Sequence, residues 1–353
     1  MRILIINYEM NEDSGVLAWQ ARVARELASH SEFVVVLTER LDRFEPPPNM
    51  YIEALTPRPL GLPRRFGSAL LLNWQAFRLC RRYRIDACFI HMASDWAYYL
   101  YPTFRLCGIP VLLWYAHGTV TPRLRLAHAC ASRVVTSTPE GFRIPSPKVR
   151  VIGQGVDTEL FRPPEERAEL CNDLITISRV SRRKRIDLLL SVMDVLRGIP
   201  GAPGLRLRVI GPLLTPDDLT YDAALRARVW RTGLQDWVEF VGFVPQEYIP
   251  TFYRSAFLHI NVSQTGSMDK TVLEALACGC PVLTSNEAFR EMLADYPEFI
   301  IRDERPEAIA EQVLSLYARR EQYDPAQLRM LVVGKHDLPS YIQRLLVQLR
   351  ELQ

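Results

Sequence analysis

Two cations lie five residues apart, Arg179 and Lys184, just beyond an apolar run at 174–177. A guanidinium and an ammonium converging at the carboxyl end of a strand would neutralise a bound phosphate and stabilise the charge that develops as a diphosphate departs. Lys184 is one of only four lysines beside 39 arginines, so an ammonium stands here against the habit of the chain. Spacing alone also admits a plainer reading, in which 182–185 is a solvated basic run or a patch for nucleic acid.

A second group follows the apolar run at 256–262. The stretch Ser263-Gln-Thr-Gly266-Ser267-Met-Asp-Lys-Thr-Val-Leu-Glu274 opens a helix whose apolar face includes Val272, Leu273 and Leu276. A glycine turn at a helix start leaves backbone N–H groups free, with the positive end of the helix dipole facing outward, which suits phosphate. Gly266 and Ser267 lie in that turn, and Ser267 doubles as a plausible N-cap. Glu274, about two turns into the helix, could accept hydrogen bonds from ribose hydroxyls. It reads equally as a helix-surface glutamate.

Groups of this kind need rigid strands behind them. In the first half, short and nearly continuous apolar runs at 3–6, 33–37, 87–90, 111–115, 133–137 and 149–152 predict strands covered on both faces, as in a parallel sheet. Val16, Trp19, Val23 and Leu27 form one helical stripe between the first two, so strand, glycine turn (Ser14–Gly15), helix and strand make a βαβ unit. The second half repeats the grammar with runs at 174–177, 207–210, 238–241, 256–262, 281–284 and 299–301. The expected fold is α/β, two doubly wound Rossmann-like domains facing across a cleft. Their bounds are 1–157 on the acceptor side, a Pro- and Glu-rich linker at 158–171, 172–335 on the nucleotide side, and a last helix in 336–353 that could pack back on the first half.

With 353 residues, 48% hydrophobic and 24% charged, the chain has the composition of a soluble globular protein. Its longest apolar runs, about six residues, fall far short of the roughly 20 needed to span a bilayer. The first residues read as a strand and not as a signal peptide. Seven cysteines without a CxxC spacing read as buried thiols in a reducing compartment. The net charge of +3 is unevenly spread: residues 1–157 carry 19 basic and 13 acidic side chains, and 54–85 holds seven arginines and no acid. Such a local excess points to an anionic partner.

Five segments in order then carry a resemblance. Val-Ile-Gly-Gln-Gly-Val-Asp-Thr-Glu-Leu-Phe (151–161), Ser-Arg179-x4-Lys184-Arg-Ile-Asp, Val-Ile-Gly211-Pro, Val-Gly-Phe243-Val244-Pro245 and Leu-Glu274-Ala-Leu-Ala-Cys-Gly-Cys-Pro-Val resemble the retaining glycosyltransferases of family 4, with the GT-B fold. The resemblance runs nearly the length of the chain. It implies that Arg179 and Lys184 clamp the diphosphate, that Glu274 is the final glutamate of an E-x7-E element and binds the ribose, and that Phe243, Val244 and Pro245 read the base through their backbone. It places Gly211 on the donor side, and Gly15 in the glycine turn that approaches the phosphates. It sets His117 beside the transferred sugar, although by itself His117 reads as an ordinary loop histidine. His91, at another strand end, is a weaker candidate for contact with donor or acceptor.

One position departs from the pattern. The first glutamate of E-x7-E would fall at 266, where this chain has Gly266, and Asp269, the nearest acid, lies too far along to be a simple substitute. Loop hydroxyls and backbone amides would then take over the sugar contact, or activity would be impaired.

The resemblance implies retention at the anomeric carbon without a metal or other cofactor, the nucleotide-sugar (a UDP- or GDP-sugar) serving as substrate. The leaving phosphate would take the acceptor's proton on the front face. A glycan or polyprenyl-linked acceptor is expected to meet the first half, where Leu60, Leu62, Phe66, residues 70–72, Trp74 and Phe77 interleave with Arg64, Arg65, Arg81 and Arg82. A basic amphipathic stretch suits an anionic membrane surface, which would make the protein peripheral at the cytoplasmic face of the membrane. The plain reading buries those apolar side chains and solvates the arginines. Two other classes stay open: a non-catalytic nucleotide-binding relative, and a sugar-nucleotide 2-epimerase. Nucleic acid is excluded as a partner by the absence of a recognised motif and the near-neutral balance.

Overall fold

The computed structural model describes residues 1–12, 17–54, 64–165, 171–263 and 266–353, without the side chains of 64–69. The chain divides into two compact units, residues 1–154 with 338–353, and residues 155–337.

The first unit runs β1 (Arg2–Met10), α1 (Ala18–Ser29), β2 (Phe33–Leu41), β3 (Met50–Ala54), α2 (Arg64–Tyr83), β4 (Ala87–His91), α3 (Asp95–Tyr99), α4 (Tyr101–Cys107), β5 (Val111–Trp114), α5 (Pro122–Cys130), β6 (Arg133–Thr136) and β7 (Val149–Val151). Its seven strands are parallel in the order β3-β2-β1-β4-β5-β6-β7. The order reverses between β1 and β4, so both faces must be covered by crossover helices, and the strands are apolar on both sides. Ile3 and Ile5 face one buried cluster, Leu4 and Ile6 the other. The stripe on α1 is observed at Trp19, Val23 and Leu27, all buried. Ser14, Gly15 and Val16 lie outside the described residues.

The second unit runs β8 (Asp173–Ile177), α6 (Ile186–Gly198), β9 (Arg206–Ile210), α7 (Pro216–Thr232), β10 (Val238–Gly242), α8 (Ile249–Ser255), β11 (Leu258–Asn261), α9 (Lys270–Ala277), β12 (Val282–Thr284), α10 (Pro306–Ala318) and α11 (Pro325–Met330). Its five strands are parallel in the order β10-β9-β8-β11-β12, reversing between β8 and β11. The last helix, α12 (Leu338–Arg350), belongs to the first unit: Tyr341, Ile342, Leu345, Leu346 and Leu349 are buried in the cluster that holds Trp19 and Ile3. Arg344 donates from Nε to the Ile152 carbonyl at 2.7 Å, and Arg133 pairs with Glu351 at 2.5 Å. The expected architecture of two doubly wound Rossmann-like units therefore holds.

Three sequence readings need correction. β3 was absent from the expected strands because it is an edge strand with only Met50 buried, which leaves no continuous apolar run. The run at 299–301 forms no strand: Pro297–Phe299 is a 3-10 turn, and only Ile300 bridges to Thr284. The cysteines are not uniformly buried, since Cys107 and Cys130 are half-buried and Cys171 is exposed. Among the described residues no helix is long and apolar enough to cross a membrane.

Candidate functional site

The carboxyl edge of the second sheet gathers the motif residues. Arg179 and Lys184 follow β8, Gly211 follows β9, Phe243, Val244 and Pro245 follow β10, and Gly266, Ser267 and Asp269 follow β11. That edge of a doubly wound sheet is where the crossover loops diverge, most widely at the switch between β8 and β11. The edge is held tightly. Ser178 donates its N–H to the Ile210 carbonyl at 2.9 Å, and Gly211 to the Gly242 carbonyl at 2.8 Å. Gly211 has φ +148°, and a Cβ there would stand 1.9 Å from the Ser178 carbonyl oxygen, so only glycine lets the β8 and β9 loops approach.

The loop from β8 to α6 is solvated only in part: Arg182 and Arg183 are exposed, whereas Lys184 and Arg185 are half-buried and paired with acids. Arg179, 40% exposed, places Nε 3.8 Å from Oδ2 of the buried Asp218. Asp218 itself closes a capping box at the start of α7, accepting from the Leu214 and Thr215 N–H groups at 3.1 Å each. Asp217 and Asp218 lie in the first turn of α7. Arg182 stacks over the Tyr221 ring at 5.4 Å, and Arg185, at φ +51°, pairs with Glu304 at 2.7 Å.

Lys184 reaches across the switch point. Its Nζ lies 3.0 Å from Oδ1 of Asp269 and 3.5 Å from the Ser263 hydroxyl. The other oxygen of Asp269 accepts from Asn261 Nδ2 at 3.0 Å and from the Ser263 hydroxyl. Burial pushes the Asp269 carboxyl up, but the Lys184 charge and the hydrogen bonds from Ser263, Asn261 and Lys184 outweigh it and hold the group below its ordinary value. Asn286, after β12, donates Nδ2 to the Ser267 carbonyl at 2.8 Å and so braces the same turn.

Gly266 takes φ +69°, a left-handed conformation that glycine adopts without strain. Ser267 is not the N-cap: that position is Asp269, whose side chain caps nothing because it is engaged with Lys184, Asn261 and Ser263. Glu274 is the fifth residue of α9, one turn in and not two, and is buried, unlike a helix-surface glutamate. Phe243 is half exposed after the bend at Gly242, whereas Val244 packs on the core of the unit. Asp269, Asn261, Ser263, Asn286 and Asp218 are the members that linear spacing undervalued. The signal for Asn261, Ser263, Asp269 and Asn286 was a string of small polar residues at the adjacent ends of β11 and β12; Asp218 follows β9.

In the first unit, His117 follows β5 and is half-buried; its ring Nδ1 accepts the Thr119 N–H at 3.1 Å, and its backbone N–H donates to the Gly141 carbonyl at 2.8 Å. His91 is buried, stacked on Phe89 at 5.3 Å and edge-on to Trp114 at 5.5 Å, so it reads as a packed residue. Arg81 and Arg82 are exposed near the end of α2. Arg64 and Arg65 lie in α2, but their side chains, like Gly15, Leu60 and Leu62, fall outside what is described. Leu70, Trp74 and Phe77 are exposed at 64%, 60% and 40%, not buried as the plain reading had it, while Leu72, Ala76 and Leu79 turn inward.

Comparison with known proteins agrees with the motif reading. Residues 171–319 match the family described as Glycosyl transferases group 1. The lipopolysaccharide core biosynthesis mannosyltransferase LpsB of Rhizobium meliloti is 31% identical over 153 residues, 40% of this chain and 42% of that protein. The D-inositol 3-phosphate glycosyltransferase of Segniliparus rotundus is 30% identical over 190 residues, 50% of this chain and 40% of that protein. The chain thus spans about two fifths of the length of these two relatives. Among solved structures, Alr3699/HepE of Anabaena in complex with UDP and glucose shares the fold with a TM-score of 0.79 over 100% of both chains, at 15% identity. The resemblance to glycosyltransferases and the GT-B fold expected from it are borne out.

Proposed function

We propose that this protein is a retaining glycosyltransferase that moves a sugar from a nucleoside diphosphate to an acceptor. The observation that carries the reading is the placement of Arg179 and Lys184 in one loop at the carboxyl edge of the second sheet, with Lys184 bonded to Asp269 at 3.0 Å and Arg179 3.8 Å from Asp218. Cations already fixed in place stabilise developing charge without reorganising at the moment of reaction. The matched family over 171–319 and the UDP in HepE, which shares the fold, support a nucleotide-sugar donor, which we take to be a UDP- or GDP-sugar.

In this mechanism Arg179 and Lys184 hold the diphosphate as the bond to the anomeric carbon breaks. The leaving phosphate oxygen takes the proton of the acceptor hydroxyl, and the new bond forms on the same face, so configuration is retained. The two side chains supply the charge that a metal would otherwise provide. Glu274 binds the ribose, the backbone of Phe243, Val244 and Pro245 meets the base, and Gly211 and the turn at Gly266 and Ser267 leave backbone open to the phosphates and sugar. His117 is assigned to the transferred sugar.

The acceptor is assigned to the first unit, as a glycan or polyprenyl-linked precursor at an anionic membrane surface. Leu70, Trp74, Phe77 and Arg81 recur at i, i+4, i+7 and i+11 on α2, one exposed apolar face ending in a cation. The relative LpsB is named for lipopolysaccharide core synthesis, in line with a lipid-borne acceptor.

The test is release of free nucleotide from UDP-, GDP- and ADP-sugars, with lipid-linked acceptors added. We expect release from one donor, reduced about 1,000-fold in Arg179→Ala/Lys184→Ala. Nucleotide bound without any turnover, acceptor present, would instead favour a non-catalytic relative, in keeping with the missing acid at Gly266.

A further inference from the structure

We infer that Asp269 is the positioning residue of Lys184, the acid that this chain keeps at the site where position 266 has none; the inference rests on the glycosyltransferase reading. Asp269 occupies the N-cap position of α9, where an aspartate ordinarily accepts from the first N–H groups of the helix, and it makes no such bond. Its carboxylate is spent instead on three donors from two neighbouring strand ends: Lys184 at 3.0 Å, Asn261 at 3.0 Å, and the Ser263 hydroxyl. Asn261 is fixed in turn, accepting at Oδ1 from the Thr284 hydroxyl at 3.3 Å. A carboxylate with both oxygens occupied and its side chain only 13% exposed has little left for a sugar hydroxyl, so it does not replace the missing glutamate as a sugar ligand.

What it does replace is freedom in the lysine. An ammonium on four methylenes has many rotamers, and ordering it costs entropy that a diphosphate would otherwise have to meet on binding. One proton of Lys184 goes to Asp269 and one points toward Ser263 at 3.5 Å, which leaves a third for a phosphate oxygen. Lys184 remains the cation that faces the developing charge, and what Asp269 adds is geometry: it holds the ammonium where that charge will build.

The experiment is a double-mutant cycle on the full chain with Asp269→Asn and Lys184→Met, read as donor turnover and as UDP and GDP binding. We expect Asp269→Asn to lower turnover about 10- to 100-fold, mainly in kcat, and to change it less than about twofold once Lys184 is methionine. If Asp269→Asn costs as much without Lys184 as with it, the positioning role is overturned. Should Asp269→Asn not fold, Asp269→Glu enters the same cycle under the same criterion. A second measurement needs neither nucleotide nor turnover: the chain has four lysines, so 13C reductive methylation gives a readily assigned resonance for Lys184. Its resonance is expected to move on Asp269→Asn by more than those of the distant Lys148 and Lys335, because the Asp269 carboxylate lies 3.0 Å from its Nζ. A Lys184 change no larger than theirs would overturn the pairing, whereas absence of turnover alone would strike only the glycosyltransferase reading.

Discussion

At the carboxyl edge of the second sheet, Arg179 and Lys184 are each held by an acid, Asp218 and Asp269, and the loops between them are tied to one another through backbone bonds. At the same edge of the first sheet, His117 is engaged with local backbone and His91 is packed among Phe89 and Trp114, while the charge of the unit is concentrated on and before α2. Both units have the same doubly wound scaffold. A diphosphate is one fixed arrangement of charge, so a unit that holds it needs cations at set separations and close backbone approach. Those requirements leave motifs, and the family match falls on 171–319. The first unit, outside that match, shows broad features instead: a basic stretch and an exposed apolar helix face, as the proposed acceptor role would require, since acceptors differ in size and polarity.

The sharpest way to break this contrast is Gly211→Val. Its Cβ would meet the Ser178 carbonyl oxygen at 1.9 Å in a backbone conformation that side chains rarely adopt. We expect a loss of about 3 kcal/mol, seen as a lower melting temperature, with nucleotide binding lost alongside. Wild-type melting would show that the edge of the second unit is not held as tightly as its bonds indicate.

A second effect, confined to acid pH, is expected from His259, buried in β11. Burial pushes its imidazole down to about 3 from 6.5. The folded value is depressed, so the contribution to stability is complete above about pH 6.5 and is lost as pH falls toward 3, at about 1.4 kcal/mol per unit. His259→Phe should flatten the acid limb of the stability curve over that range. An unchanged slope would place the acid sensitivity elsewhere, the first unit included.

The smallest effect concerns α2. Replacing Leu70, Trp74 and Phe77 by serine should lower sedimentation with anionic liposomes about tenfold and leave the melting temperature unchanged, since all three are exposed. Unchanged sedimentation would remove the membrane surface from the description of the first unit.

Much of this was legible in the sequence because parallel strands covered on both faces must be apolar throughout, and helices between them must carry one apolar stripe. β3 escaped because an edge strand is under neither demand, and the run at 299–301 misled because apolar residues can be buried without pairing. Arg179 and Lys184 were found by their distance along the chain, which a short loop converts directly into a distance in space. Asp269 was undervalued for the converse reason: 85 residues separate it from Lys184, and only the parallel pairing of β8 with β11 sets their loops side by side. The sequence by itself determined the elements, the two halves and the chemistry of their loops, all of which depend on near neighbours. The partner of each cation, and which faces of α2 meet water, were decided by the tertiary structure, since these depend on which strand ends and helix faces the topology brings together.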